Sequence, residues 1–342
     1  MLRKIAVLFA VFLLLFAFAI VGFLRYAFYS PEDKISDKML IEIPAGASIK
    51  SVGKILEDNK IINNANIFYY TVRLFEKDYS VQAGKFVLYK NSGVFRSIEA
   101  LRKNSIAEEI SVTIPEGLTV WETASIVAKT FENADSAAFV ALCEDEEFIK
   151  KCEVGEKKTL EGYLYPETYR FAKGVKIEDV ILRLIATHKQ VFSQIPRSQR
   201  SEKLDDEQVV ILASIIEKET KAAAEKPLVS GVFYNRIEQK MPIGADATVR
   251  FAVKNFTRPI RKSELNSDSP YNTRKFTGLT PGPICSPGKF SLNAAMNPED
   301  TDYLFFMAKW DGSGEHIFSK TNAQHDKVKN EVKSKNKHLA DF

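Results

Sequence analysis

Residues 41–49 read IEIPAGASI, and residues 112–120 read VTIPEGLTV, the same unit 71 positions later. Each copy alternates apolar and polar residues up to Pro44 or Pro115, turns at Gly46 or Gly117, and then presents Ser48 or Thr119. Proline ends a strand ladder because it has no N–H to donate, glycine tolerates the tight turn, and a hydroxyl caps a helix N-terminus. The unit predicts strand, turn, cap and amphipathic helix, running on through Val52, Ile55 and Leu56 and again through Ala124, Ile126 and Val127. Between the copies, residues 84–89 (GKFVLY) alternate as a strand does, and Ser97, Ile98 and Leu101 start a short helix. From about Asp135 the pattern becomes mainly helical with long connections. The fold class is α+β, with a small module at 39–110 and a mainly helical domain over 111–342. The module carries no cluster of catalytic residue types, so binding or spacing is its expected task.

The chain has 342 residues, 45% hydrophobic and 27% charged, which suits about two globular domains and excludes disordered and disulfide-framework classes. Net charge is only +4, and no nucleic-acid-binding motif is present, so no nucleic acid is expected as a partner. Ile5 to Leu24 is free of charges, long enough to cross a hydrocarbon core of about 30 Å. Arg3 and Lys4 precede it, which predicts a cytoplasmic N-terminus at 1–4, a single inner-membrane span at 5–24 and a periplasmic remainder. Residues 25–38, polar and interrupted by Pro31, read as a linker. The rival, a cleaved signal peptide, has a shorter apolar region and a small-residue cleavage site. Cys143 and Cys152 are spaced so that they could pair or simply be buried. The four histidines (His188, His316, His325, His338) are scattered, and neither a metal nor a cofactor is expected.

Residues 205–225 (DDEQVVILASIIEKETKAAAE) predict a helix with an acidic N-terminus. On a wheel of about 100° per residue, Glu219 falls in the middle of the apolar face, with Leu212, Ile215 and Ile216 at i−7, i−4 and i−3. Glu217 falls on the side shared with Val210 and Ala213. A carboxyl held against apolar neighbours loses hydration of its charged form, so its pKa rises and it can serve as a general acid. The competing explanation is a glutamate paired with an arginine or lysine from another helix.

Residues 213–220 (ASIIEKET) resemble the signature of the YceG-like endolytic murein transglycosylases. Further stretches agree in order: 160–169 (LEGYLYPETY), 232–236 (VFYNR), 246–249 (DATV), 271–273 (YNT) with 278–284 (GLTPGPI), and 314–318 (GEHIF). Ala247, Arg274 and Thr280 depart from the pattern, where proline, tyrosine and proline are usual. The resemblance implies a membrane-anchored lytic transglycosylase with a LysM-like region before a lysozyme-like catalytic domain, and the module at 39–110 fits that region. It implies Glu219 as the catalytic acid, acting on peptidoglycan glycan strands to leave a 1,6-anhydro-MurNAc end, beside wall-synthesising enzymes as partners. Asn235, Asp246, Tyr271, Asn272 and Thr273 are candidates to bind sugar, each with a loop-stabilising contact as the alternative. Two other functions stay open. One is a hydrolase pairing Glu219 with Glu161, Glu167 or Asp246; the other is a non-catalytic wall-binding scaffold. For Glu161 and Glu167 a capping or pairing role is favoured. The Lys-rich tail from Lys327 to His338 reads as a solvated helix face.

Overall fold

A computed structural model describes residues 9, 11–22, 37–75, 81–102 and 109–335. The chain divides into two compact units, Met1–Glu109 and Ile110–Phe342.

In the first unit, β1 (Lys38–Ile43) pairs antiparallel with β2 (Gly84–Tyr89), Ile41 opposite Phe86 and Leu40 opposite Val87. Ile41, Ile43, Phe86 and Leu88 face inward while Leu40, Glu42 and Tyr89 do not, the alternation of a strand with one buried face. Between the strands lie α1 (Ile49–Asp58) and α2 (Ala65–Phe75), and α3 (Val94–Arg102) follows. Ser48 caps α1, its hydroxyl accepting from Ser51 N–H at 3.1 Å. The helices bury Val52, Leu56, Phe68, Val72 and Ile98 against the inner sheet face. The described part of the N-terminal apolar stretch, 11–22, is helical and exposed. Among the described residues no helix is long and apolar enough to cross a membrane. The span expected at 5–24 lies partly, and the linker expected at 25–38 almost wholly, outside the described residues.

The second unit opens with the second copy of the repeated motif. β3 (Glu109–Thr113) pairs with β4 (Thr168–Ala172), and α4 (Val120–Thr130) starts at a capping box between Thr119 and Glu122. α5 (Ser136–Glu144), α6 (Glu146–Lys151) and α7 (Ile177–Gln194) complete one apolar cluster around Val127, Phe139, Leu160 and Leu184. Cys143 and Cys152 are free thiols buried in that cluster.

A second cluster surrounds α8 (Asp206–Glu219), with α9 (Lys226–Glu238), α10 (Asp246–Ala252), α11 (Lys262–Leu265) and α12 (Lys289–Met296) following. The hairpin β5 (Phe305–Ala308) and β6 (His316–Ser319) carries α13 (Asn322–Lys335), whose surface is largely exposed. Every residue of α8 from Val209 to Ile216 is buried, so the helix is enclosed on all sides rather than amphipathic. It also ends earlier than its sequence predicts. Thr220 is extended (φ −137°, ψ 136°), and only Ala223–Glu225 turns again, as a short 3-10 segment. The Thr220 hydroxyl accepts from Ala222 N–H at 3.1 Å, a local bond that competes with continuing the helix.

Gly162 marks where the two clusters meet. Its φ is +88°, and a Cβ there would lie 2.5 Å from Pro283 and 3.1 Å from Val210 on α8. Gly162→Ala therefore meets both backbone strain and a collision with a proline ring. It should destabilise the protein by about 2 kcal/mol or more. Thermal unfolding of the full chain checks this, and an unchanged midpoint would contradict the close approach.

Candidate active site

The site is built on a loop that has no secondary structure of its own. Residues 278–288 (GLTPGPICSPG) are tied to α8 and to the turn before α4. Ile284 N–H donates to Ser214 Oγ (3.0 Å), and the Cys285 thiol donates to Ser214 O (3.3 Å). Ser286 N–H donates to Leu118 O (2.8 Å), and Gly117 N–H to Ser286 O (2.9 Å). Gly288 N–H donates to Glu217 Oε2 at 3.0 Å. That carboxylate also accepts from Ser291 Oγ (2.6 Å) and from Lys226 Nζ (3.0 Å). The Glu217 and Lys226 side chains are only 9% and 4% exposed, so each charge depends on the other.

Two residues on, Glu219 has a different environment. It is the last residue of α8, half-buried, and forms no ion pair among the described residues. It lines a cavity of about 300 Å³ with Glu122, Asp246, Arg250, Phe251, Phe256 and Ile284 among its neighbours. Burial pushes its pKa up to about 7, and the charge of Asp246 adds to the rise. Arg236, the Ala247 N–H and Arg274 oppose it. A helix C-terminus is also the negative end of the helix dipole, which further disfavours a carboxylate there. The result is a carboxyl close to half-protonated near neutral pH, which can both give and take a proton.

Asp246, the first residue of α10, is held by Arg274 at 2.6 Å. Arg274 is the position where the sequence departs from the expected tyrosine. Trp121 packs on Phe251 (5.6 Å between ring centres) and on Phe256 (6.3 Å), with Lys254 Nζ 4.7 Å from its own ring. Tyr271 packs on Phe251 from elsewhere (5.0 Å). One wall of the cavity is thus aromatic, while Glu122, Lys218, Arg250 and the Asp246–Arg274 pair supply polar groups.

Of the candidate sugar-binding residues, Asp246 lines the cavity and Tyr271 supports its wall. The others do not line this cavity. Asn235 spends its amide on Thr301 O and Tyr303 O (both 2.8 Å) and accepts from Arg200 (2.7 Å). Asn272 is fully buried, donating to Leu265 O and Ser267 O. Thr273 is buried with its hydroxyl against Thr248 Oγ1 at 2.8 Å. Each is engaged by neighbouring groups of the protein, in keeping with the loop-stabilising alternative. Glu161 is buried and accepts from Val120 N–H (3.0 Å) at the start of α4; burial raises its pKa to about 8. Glu167 is exposed, and neither glutamate lines the cavity. Sequence reasoning missed Glu122, Trp121, Phe251 and Phe256. The signal was in the repeated unit, whose second copy places Trp-Glu after Val120 where the first has Lys-Ser after Ile49.

The comparisons with known proteins meet at this geometry. The profile of the YceG-like family matches residues 41–331. The chain belongs to the YceG-like family. It is 32% identical over 322 residues to the endolytic murein transglycosylase of Bacillus subtilis, covering 90% of this chain and 88% of that one. It is 29% identical to the endolytic murein transglycosylase of Streptococcus pneumoniae, covering 89% of this chain but 60% of that longer protein. The crystal structure of a YceG-like protein from Listeria monocytogenes superposes with a TM-score of 0.59 at 32% identity, covering 85% of this chain and 99% of that one.

The two glutamates of the family's EKET stretch should respond oppositely to mutation. Glu217→Ala leaves Lys226 buried without a partner and should cost about 3–5 kcal/mol. For Glu219 the folded pKa, about 7, exceeds the ordinary carboxylate value of 4.5, so between those pH values the folded state binds more protons than the unfolded. Stability from this group is therefore lost as pH rises from about 4.5 to about 7 and stays lost above it. Glu219→Gln should melt above the parent at pH 8 and not at pH 4. Melting curves at both pH values check this, and equal losses in both variants would contradict it.

Proposed function

We propose that the chain is a peptidoglycan lytic transglycosylase that cleaves the MurNAc–GlcNAc β-1,4 bond inside glycan strands. The observation that carries this is an unpaired, half-buried glutamate with a pKa near 7 lining a cavity with an aromatic wall. Family membership and relatives named endolytic murein transglycosylases support the same reaction class.

In the mechanism, the Glu219 carboxylic acid donates its proton to the bridging oxygen. The bond from that oxygen to C1 of MurNAc breaks, and GlcNAc leaves with its 4-hydroxyl. The Glu219 carboxylate then takes the proton from the MurNAc C6 hydroxyl as O6 bonds to C1. The result is a 1,6-anhydro end, with no water consumed and the acid restored. The nucleophile is part of the substrate, so its effective concentration is high without an enzyme nucleophile. The aromatic wall of Phe251 and Phe256, backed by Trp121, lowers access of competing water.

A retaining or inverting hydrolase would need a second carboxylate in the same cavity. Asp246 and Glu122 are both there; Glu122 accepts from the Thr119 N–H and hydroxyl at the start of α4, which leaves Asp246 as the specific residue behind that alternative. Its pairing with Arg274 makes it a neighbour that raises the acid's pKa rather than a nucleophile. The products separate the two: digestion in ¹⁸O-water labels reducing ends in a hydrolysis and leaves anhydro ends unlabelled.

The finer organisation belongs to the same proposal. The apolar stretch at 5–24 anchors the chain in the inner membrane once, with 1–4 cytoplasmic and both units periplasmic. The strand–helix–helix–strand order of the first unit supports a LysM-like module that holds glycan. The second unit is then the lysozyme-like catalytic domain, and wall-synthesising enzymes at the membrane are its partners.

Glu219→Gln should lower the rate of anhydro-end formation by about 10²–10⁴-fold. Activity of the parent should fall as pH rises through about 7, because the acid form is lost. Asp246→Asn removes a charge that raises this pKa, so its fall should come at lower pH. Rate–pH profiles on purified glycan strands check both, and an unmoved alkaline limb in Asp246→Asn would overturn the electrostatic role.

A further inference from the structure

The helix α2 of the first unit has an outer face that nothing among the described residues covers. Its inner face buries Phe68, Thr71 and Val72. On the outer face Tyr70 and Leu74 stand one turn apart, 61% and 67% exposed, and Phe75 ends the helix beside them at 71%. Large apolar side chains this close together and this exposed form a patch, which scattered surface residues do not. The only charge on α2 is Arg73, which forms no ion pair among the described residues. Its Nη1 donates to the Tyr69 hydroxyl at 2.6 Å, and the guanidinium lies 5.9 Å from that ring. The Tyr69 ring in turn meets Tyr70 edge-on at 5.2 Å. A cation is thus fixed at the border of the patch, held by a neutral partner that leaves its charge uncompensated.

The chemistry of the patch selects among its possible occupants. A glycan wants several hydrogen-bond partners around its hydroxyls, and these three side chains offer a single phenol. A second copy of the chain needs about 800 Å² per partner for a stable interface, and the three side chains expose roughly half of that. A lipid surface makes neither demand. Its interface takes aromatic and aliphatic side chains beside a cation, which is the composition found here. Residues 38–102 hold ten basic and six acidic side chains, so the unit as a whole is drawn to anionic headgroups. The chain also keeps it within reach. Residues 25–37, between the apolar stretch and β1, extend to about 45 Å at most. Over that distance a weak contact suffices, because the tether holds the unit at a high effective concentration near the bilayer.

We propose that α2 lies on the surface of the anionic membrane that anchors the chain, with Tyr70, Leu74 and Phe75 among the headgroups and Arg73 on lipid phosphate. The inference rests on the anchor at 5–24 set out above, and it leaves the rest of the module free for glycan. Its role is to hold the first unit against the bilayer, so that glycan is met at the membrane surface rather than at the full reach of the tether.

The test uses the full chain in vesicles of equal parts phosphatidylglycerol and phosphatidylcholine, with a β-1,4-linked N-acetylglucosamine tetramer present. The photo-crosslinking residue p-benzoylphenylalanine stands in place of Tyr70 or, as a control, in place of Lys54 on the exposed side of α1. Mass spectrometry after illumination should find lipid joined to the chain several-fold more often at position 70 than at position 54. Vesicles of phosphatidylcholine alone should lower the yield at position 70. Leu74→Glu with Phe75→Glu should lower it by about tenfold. Both of those side chains are exposed, so the parental melting midpoint is expected for the double variant. Equal lipid capture at positions 70 and 54 would overturn the proposal, as would tetramer or a second copy of the chain as the main adduct at position 70. Carbonate washing of the vesicles separates this from the anchor. A parent chain that washes off overturns the anchor and the docking with it. A chain that stays, with no lipid adduct at position 70, overturns the docking alone.

Discussion

The Glu217 carboxylate holds the latter half of the second unit in register. It sits two residues from the end of α8 and binds Lys226 at the start of α9, together with Gly288 N–H and Ser291 Oγ at the start of α12. Three elements and the end of a structureless loop thus meet on two oxygen atoms. Burying an ion pair adds little net stability, because desolvation offsets most of the attraction. What it supplies is geometry. With the pair formed, the loop 278–288 has one place to lie, and its backbone is then free to bond Ser214 and Leu118.

That arrangement leaves Glu219 exposed to a different balance of forces. The nearest basic group on α8, Lys218, points to the side where Gly117 lies. The buried cation, Lys226, is taken by Glu217. Arg236 is held by Leu304 O at 2.6 Å and acts on Glu219 only across space. Arg274 is drawn off by Asp246. Lys226, Arg236 and Arg274 are engaged elsewhere, and burial, then Asp246, raise the pKa of Glu219, with the helix terminus acting in the same direction. A pKa near 7 is useful to a group that must be an acid and then a base within one turnover, because neither form is costly to reach.

Local signals in the sequence were legible wherever the physics is local. The repeated strand–turn–cap–helix unit was readable from nine residues, and Ser48 and Thr119 cap the helices it predicts. Glu217 and Glu219 do have different environments, as the wheel expects, although the wheel assumed one apolar face. α8 is apolar on every side, so the face did not distinguish the two glutamates; long-range pairing did. The same limit explains Asn235, Asn272 and Thr273. As residue types they suit sugar hydroxyls, but their partners are backbone groups brought to them by folding, up to 68 positions away for Asn235. Trp121 and Glu122 failed to stand out for the converse reason. Their neighbours in sequence say helix start, and only the approach of α10 and of Phe256 brings Glu122 into the cavity and Trp121 behind its wall.

The contrast between Asp246 and Glu219 also bears on why one acid suffices in the proposed reaction. A two-carboxylate hydrolase needs its second group unencumbered, either to attack C1 or to hold water in the gap. Here Asp246 is paired with Arg274, Glu122 is engaged at the start of α4, and the opposite wall is built from rings. An aromatic wall binds the C–H face of a sugar and gives water few hydrogen-bond partners, whereas the C6 hydroxyl arrives attached to the substrate. Hydrolysis would have to order a free water molecule at C1 against that wall, and ring closure would not. The same cavity that raises the pKa of Glu219 by excluding solvent therefore also favours the intramolecular nucleophile, so acid strength and product type have one structural cause.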